Sequence, residues 1–170
     1  GALQEQKLNI VGVREDARLR DADMGRYNSR EEVLKCLAER EAYGTFFYRF
    51  PHGESGADVC DRVSSFLDVF QREKRSFPIN TNVVVVTHDL TIRMFVKRWF
   101  HLTVETFSQM RPLPPSRIIE LARTEDPQKF KLTEESSQLL GLPLSMKDEN
   151  GYAFRNKKLL GSLSTGAPFL

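Results

Sequence analysis

Four consecutive valines at residues 83–86 end in Thr87, His88 and Asp89, and an amphipathic stretch over residues 90–100 follows at once. A run that is apolar on both faces predicts a central strand of a parallel sheet, with helices packed above and below it. Strand, sharp turn and helix are the repeating unit of α/β proteins. The sequence therefore predicts an α/β fold in which His88 stands at the carboxyl end of a buried strand.

Other local signals extend this pattern along the chain. Ser29 with Glu32 and Ser55 with Asp58 have the spacing of capping boxes, and each pair predicts the start of a helix, the first running to about residue 42. The aromatic segment 43–50 fits either helix or coil. The remaining predicted elements are a buried strand over 8–13, a helix over 90–100, a short helix over 103–110, a strand over 117–123 and an antiparallel partner for it over 130–132.

The length of 170 residues, 40% of them hydrophobic, favours one main domain. We predict an α/β domain over residues 1–135, incomplete at its N-terminus. The hydrophobic pattern fades after that point. We therefore expect residues 136–170 to form a tail that is extended along the domain or partly disordered.

Charge and cysteine content narrow the class of partner. Lys and Arg number 25 against 23 Asp and Glu, a net charge of +2 that predicts neither a nucleic-acid footprint nor a polybasic membrane patch.

Cys36 and Cys60 fall in helix-like segments without metal-ligand spacing and are expected to be buried free thiols. With no run of about 20 apolar residues and no secretory signal, the expected location is the cytoplasm, and a homodimer is left open.

His88 is the candidate functional residue. In open α/β sheets ligands bind beyond the carboxyl ends of the strands, where the next helix presents unpaired N–H groups. An anion in front of Leu90 and Thr91 would meet those donors. A purely structural histidine fits the periodicity equally well, and Asp89 would repel an anion unless it pairs with a cation such as Arg93.

Metal ligation by the His88-Asp89 pair is the less favoured alternative. The chain has three histidines, His52, His88 and His101, and none has a second histidine four residues away on a helix. We therefore expect no metal. His101 at a helix C-terminus is expected to satisfy the last carbonyls, and His52 to lie in a loop.

Three segments together resemble the histidine phosphatase superfamily, also called phosphoglycerate mutase-like. They are ARLRDADMGRYN at 17–28, FPHGESGADVCDR at 50–62 and VVVVTHDLTIRMF at 83–95. The resemblance covers about residues 9–121, and FFYRFPHGESGADV is most similar to the fungal and protist branch of phosphatases in this family.

The resemblance implies a three-layer α/β/α fold with a mostly parallel sheet, here lacking the N-terminal strand and helix. It also implies a phosphomonoester hydrolase that uses a phosphohistidine and no cofactor, acting on a phosphorylated small molecule. A phosphoglycerate mutase is the close alternative, and a catalytically inactive module that binds a phosphorylated ligand or a protein is the other.

The resemblance also implies roles for individual residues, at the positions of this sequence that match the motifs of the family. His88 matches the second histidine, which contacts the transferring phosphoryl group, and Asp21, four residues before Gly25, matches the acid that protonates the leaving oxygen, where glutamate is usual. Substrate contacts are expected from Glu54 and Ser55 of the Gly-Glu-Ser motif and from Thr87 and Leu90 beside His88. Glu54 is the alternative acid. Judged without the resemblance, Asp21 and Asp23 could be solvated loop charges and Ser55 a simple helix cap.

One departure outweighs these matches. The nucleophilic histidine of an Arg-His-Gly motif and the arginine of a Ser-Pro-x-x-Arg-Thr segment occur nowhere in the chain, and Asp89 replaces a glycine. One histidine cannot serve both as nucleophile and as the group that holds the phosphoryl oxygens. Either the chain is a fragment that carries only the C-terminal half of the site, which we favour, or it is a degenerate member of the family.

Overall fold

The computed structural model describes residues 10–78, 81–126 and 129–142. Within these ranges five α-helices and two short strands are formed: α1 Arg30–Tyr43, α2 Gly56–Glu73, α3 Asp89–Trp99, α4 Val104–Gln109, β1 Leu121–Arg123, β2 Phe130–Leu132 and α5 Glu134–Leu139. Single turns of 3-10 helix lie at Ala17–Leu19 and Lys74–Ser76.

Both predicted helix starts are confirmed. At α2 the capping box is complete: the Ser55 hydroxyl accepts from the Asp58 N–H at 3.3 Å, and an Asp58 carboxylate oxygen accepts from the Ser55 N–H at 2.7 Å. At α1 the Ser29 hydroxyl accepts from the Glu32 N–H, but the Glu32 carboxylate accepts from Asn28 rather than from Ser29. The reciprocal bond of α1 is therefore shifted by one residue.

The core lies between α2 and α3. Apolar residues at helical spacing, Val59, Val63 and Phe66, pack against Met94 and Val96 of α3. The other buried members of this cluster lie within α2, in α4, or just after α3, α4 and α5: Cys60, Leu67, Phe100, Leu102, Phe107, Met110, Leu140 and Leu142. This packing fixes the N-terminal ends of α2 and α3 relative to each other.

The predicted central strand of a parallel sheet is not formed by the described residues. Residues 83–86 have no strand partner there, and the side chains of Val84 and Val86 are 83% and 89% exposed. Residues 10–13 likewise form no strand, and Val11 and Val13 are exposed. A strand needs a neighbouring backbone to complete its hydrogen bonds, and the described part of the chain brings none to either segment.

The predicted antiparallel pair is confirmed, although its first strand is shorter than the predicted 117–123. Leu121 pairs with Leu132 and Arg123 with Phe130. Segment 43–50, for which helix and coil were both open, continues from the end of α1 as turns, and Arg49 forms an isolated bridge with Ser55.

The C-terminal part of the described chain is more ordered than expected. Helix α5 crosses the predicted domain boundary at residue 135, and Leu140, which follows it, is fully buried in the core. The rest of the predicted tail, residues 143–170, lies outside the described residues.

Cys36 and Cys60 are both buried free thiols, as predicted. Among the helices described, none combines the length and the apolar character that a bilayer crossing requires.

Candidate active site

His88 and Asp21 meet at the N-terminus of α3. His88 is the N-cap residue, with extended backbone (φ −109°, ψ 159°), and its side chain makes no capping hydrogen bond. Its Nδ1 lies 3.5 Å from Oδ2 of Asp21, and the two side chains are 56% and 60% exposed. The structure thus brings together the two residues predicted to be catalytic, at an open surface next to the free N–H groups of a helix start.

Segment 18–21 carries Asp21 and has little regular structure, yet side chains hold each of its four carbonyls. The guanidinium of Arg62 donates to the carbonyls of Arg18 at 2.6 Å and Asp21 at 3.1 Å. The hydroxyl of Thr87 donates to the carbonyl of Leu19 at 2.6 Å. The hydroxyl of Thr91 donates to the carbonyl of Arg20 at 3.0 Å. These donors come from α2, from α3 and from the residue before His88. The segment is therefore positioned by the same helices that position His88.

Glu54 is the centre of this network. Its Oε1 accepts from Arg62 Nε at 3.0 Å and from Arg20 at 2.5 Å, and its Oε2 accepts from Arg62 at 3.2 Å and from the Asp23 N–H at 2.9 Å. Each carboxylate oxygen of Glu54 therefore already accepts two hydrogen bonds. This arrangement is unsuited to the alternative role of Glu54 as the proton donor.

Gly25 allows the acid-bearing loop to approach the Gly-Glu-Ser loop. Its φ is +83°, and a Cβ at this position would overlap the carbonyl oxygen of Pro51. A Cβ on Gly53 would in turn overlap the carbonyl of Asp23. Two glycines in contact thus let two backbones come close enough for the Glu54 N–H to bond Asp23 O at 2.8 Å.

The carboxylate of Asp89 is paired within the protein and is not left as an unpaired negative charge beside the candidate anion site. Its carboxylate accepts from Arg93 Nε at 3.0 Å, from an Arg93 terminal nitrogen at 2.7 Å and from the Leu113 N–H at 2.8 Å. The guanidinium of Arg93 is buried and stacks over the Phe107 ring at 5.4 Å. The aspartate that replaces a glycine is therefore compensated by a buried cation and anchors the backbone of the proline-rich segment RPLPPS at residues 111–116.

The other predicted site residues have structural contacts. Ser55 is buried and its hydroxyl is engaged with Asp58 in the α2 cap, as its alternative interpretation held. The Thr87 hydroxyl donates to Leu19 O, and Leu90 packs against the core from the first turn of α3. Substrate contacts by these three residues stay predictions.

His52 lies in the loop before Gly53 and His101 just after α3, both with positive φ. Among the residues that the structure describes, no three His, Cys, Asp or Glu side chains are grouped so that they could hold a metal ion.

Sequence comparison decides the family. Residues 2–136 match the histidine phosphatase superfamily (branch 1). The chain belongs to this superfamily. The superfamily fold is α/β, which confirms the predicted class, whereas the three-layer parallel sheet is not confirmed by the helices and the two-stranded sheet described here.

Individual relatives agree with the assignment. A phosphoglycerate mutase-like protein of Arabidopsis thaliana is 42% identical over 128 residues, which are 71% of this chain and 40% of the relative. A broad-range acid phosphatase of Saccharomyces cerevisiae is 36% identical over 126 residues, which are 71% of this chain and 37% of the relative. The chain thus spans about 40% of the length of the relatives that it matches. A fungal or protist branch stays a prediction.

Sequence reasoning missed the arginines of the site. Arg62 lies in the middle of an amphipathic helix and Arg20 in a loop rich in charge, so neither stands out from a solvated face. The one available signal was that Glu54 directly precedes the N-cap of α2 and Arg62 follows eight residues later. Side chains of a helix lean toward its N-terminus, which lets Arg62 reach back to Glu54.

Proposed function

We propose that this chain contributes the phosphoryl-binding histidine and the proton donor of a metal-independent phosphomonoester hydrolase that acts on a phosphorylated small molecule. The observation that carries the proposal is the 3.5 Å approach of His88 to Asp21 at the N-terminus of α3, in a chain of the histidine phosphatase superfamily. A homodimer and a cytoplasmic location stay predictions.

The chemistry assigns a role to each group. A nucleophilic histidine, which is absent from residues 1–170, attacks phosphorus, so that a P–N bond forms as the P–O ester bond breaks. The protonated carboxyl of Asp21 gives its proton to the leaving alkoxide. Water then attacks phosphorus and passes a proton back to Asp21, which releases phosphate and restores the nucleophile. His88 and the first-turn N–H groups of α3 stabilise the charge on the phosphoryl oxygens in both steps.

Hydrolysis is preferred over mutase chemistry because one relative, 36% identical to this chain, is a broad-range acid phosphatase. The two reactions differ in whether water is kept from the phosphoenzyme.

The same proposal includes the three-layer α/β/α arrangement with a mostly parallel sheet. The valines at 83–86 and residues 10–13 are exposed, rich in apolar side chains and unpaired among the described residues, which supports a role as strands of a larger, mostly parallel sheet. We propose that such a sheet also carries the nucleophile, so that this chain holds one part of a divided site.

The test is turnover of p-nitrophenyl phosphate by this chain and by any longer natural form of the protein, each with and without a chelator. Chelator-insensitive release of phosphate that His88→Ala abolishes is the expected result for the form that contains the nucleophile. Activity lost on chelation, or unchanged in His88→Ala, would contradict the proposal. Isomerisation of 3-phosphoglycerate without phosphate release would assign the mutase instead.

A further inference from the structure

Four arginines lie around the site, and three of them are ion-paired. Arg20 and Arg62 pair with Glu54, and Arg93 pairs with Asp89. The fourth, Arg40, has no hydrogen bond or ion pair on its guanidinium within residues 10–78, 81–126 and 129–142. Among these four arginines, Arg40 is therefore the one whose guanidinium forms no ion pair with a carboxylate of the described residues.

Arg40 is nonetheless held in place. It lies in the last turn of α1, is partly buried, and stacks over the ring of Phe50 with 5.8 Å between the guanidinium carbon and the ring centroid. The Phe50 N–H donates to the carbonyl of Glu54 at 3.3 Å, so this ring is fixed to the Gly-Glu-Ser loop. The stacking therefore directs Arg40 toward the loop that borders the site.

The electrostatic surroundings of Arg40 agree with that position. Burial is the main cause that lowers the pKa of its guanidinium, and the positive charge of Arg93 adds to it, while the carboxylates of Asp89 and Asp21 act in the opposite direction. Such charges act noticeably over short distances only, because solvent and salt screen them. Arg40 thus shares its surroundings with Asp21 of the site.

No acceptor among the described residues bonds the guanidinium of Arg40, and its N–H donors remain open to solvent, since the Tyr27 hydroxyl is the one buried side-chain polar atom without a partner in that part of the chain. These donors are therefore available to a bound ligand. A phosphate dianion supplies acceptor oxygens in the planar, bidentate geometry that a guanidinium prefers. We propose that Arg40 is an anion-binding residue of this site that donates to the phosphoryl group of the substrate. The inference rests on the proposed function, since it assumes that the phosphoryl group binds beside His88.

The experiment titrates inorganic phosphate into this chain, with binding followed by NMR shifts of the backbone amides of α3. Arg40→Gln removes the charge and the donors, and Arg30→Gln is the matched control because Arg30 is exposed at the other end of the same helix. Loss of a charge-assisted hydrogen bond predicts about tenfold weaker binding or more for Arg40→Gln. Arg30→Gln is expected to bind as the unchanged chain does.

Two further variants separate the possible failures. Arg40→Lys keeps the charge without the bidentate fork and is expected to bind with intermediate affinity. If His88→Ala weakens phosphate binding while Arg40→Gln does not, the inference is wrong and the proposed site stands. If neither variant weakens binding, or the unchanged chain binds no phosphate, both fall. Equal weakening by Arg40→Gln and Arg30→Gln would reveal a general charge effect and overturn the inference.

Discussion

Arg62 donates two parallel hydrogen bonds to the two carboxylate oxygens of Glu54, and the side chains of the pair are only 10% and 14% exposed. The same guanidinium donates to the carbonyls of Arg18 and Asp21. One side chain therefore joins the Gly-Glu-Ser loop to the segment that carries the acid. Arg62 is a positioning residue: its hydrogen bonds fix the segment whose Asp21 approaches His88.

Replacing Arg62 by methionine leaves Glu54 as a buried carboxylate with fewer donors. We expect a loss of about 3 kcal/mol in the free energy of unfolding, because the buried carboxylate keeps only the half-exposed Arg20 as a cation and two backbone carbonyls lose their donor. The control is Arg14→Met, which breaks the exposed pair of Arg14 with Glu73 and should leave stability unchanged. Urea unfolding of both variants measures the difference. Similar midpoints for the two variants would show that the Arg62 network contributes nothing beyond a surface pair.

Gly25 offers a second test of how the acid loop is built. Gly25→Ala adds a Cβ where the backbone has φ +83° and where the Pro51 carbonyl leaves no room, so we expect a loss of about 2 kcal/mol or more. Gly44→Ala isolates the backbone effect, since Gly44 has φ +104° and open space around it. Thermal unfolding compares the two. A loss for Gly25→Ala no greater than for Gly44→Ala would mean that the close approach of the loops is not needed.

The sequence predicted the helices far better than the sheet. The caps at Ser29 and Ser55 are local signals, readable within four residues, and both helices begin where those signals lie. A predicted strand such as 83–86 depends on partners distant in sequence, and its apolar composition shows only that it is suited to burial. The same limit applied to the site. His88 was found from its place at the end of the valine run and Asp21 through a resemblance, whereas Arg62 and Arg40 act through contacts that spacing along the chain does not reveal.

The capping box of α2 predicts a pH dependence. Hydrogen bonds from the hydroxyl and the N–H of Ser55, helped by Arg49, lower the pKa of Asp58 to about 2 from 3.8. Because the folded-state pKa is below the unfolded one, the stabilisation is present above about pH 4 and is lost as the pH falls toward 2. Asp58→Asn should lower stability by about 1 kcal/mol at pH 7. Urea unfolding at pH 7 and pH 3 should show this difference shrinking, and a constant difference would refute the role of the charge.

Asp21→Asn tests the proposed role of Asp21 as proton donor in a catalytically active form of the protein. The amide cannot protonate a leaving alkoxide, so turnover of an alkyl phosphate should fall by about a hundredfold or more. Turnover of p-nitrophenyl phosphate should fall much less, because its leaving group departs without a proton. Asp23→Asn, in the same exposed segment, is the matched control and should lower both rates equally and slightly. Equal losses with both substrates in Asp21→Asn would show that the carboxylate acts on binding rather than on the leaving group, and the 3.5 Å approach to His88 would then reflect charge pairing alone.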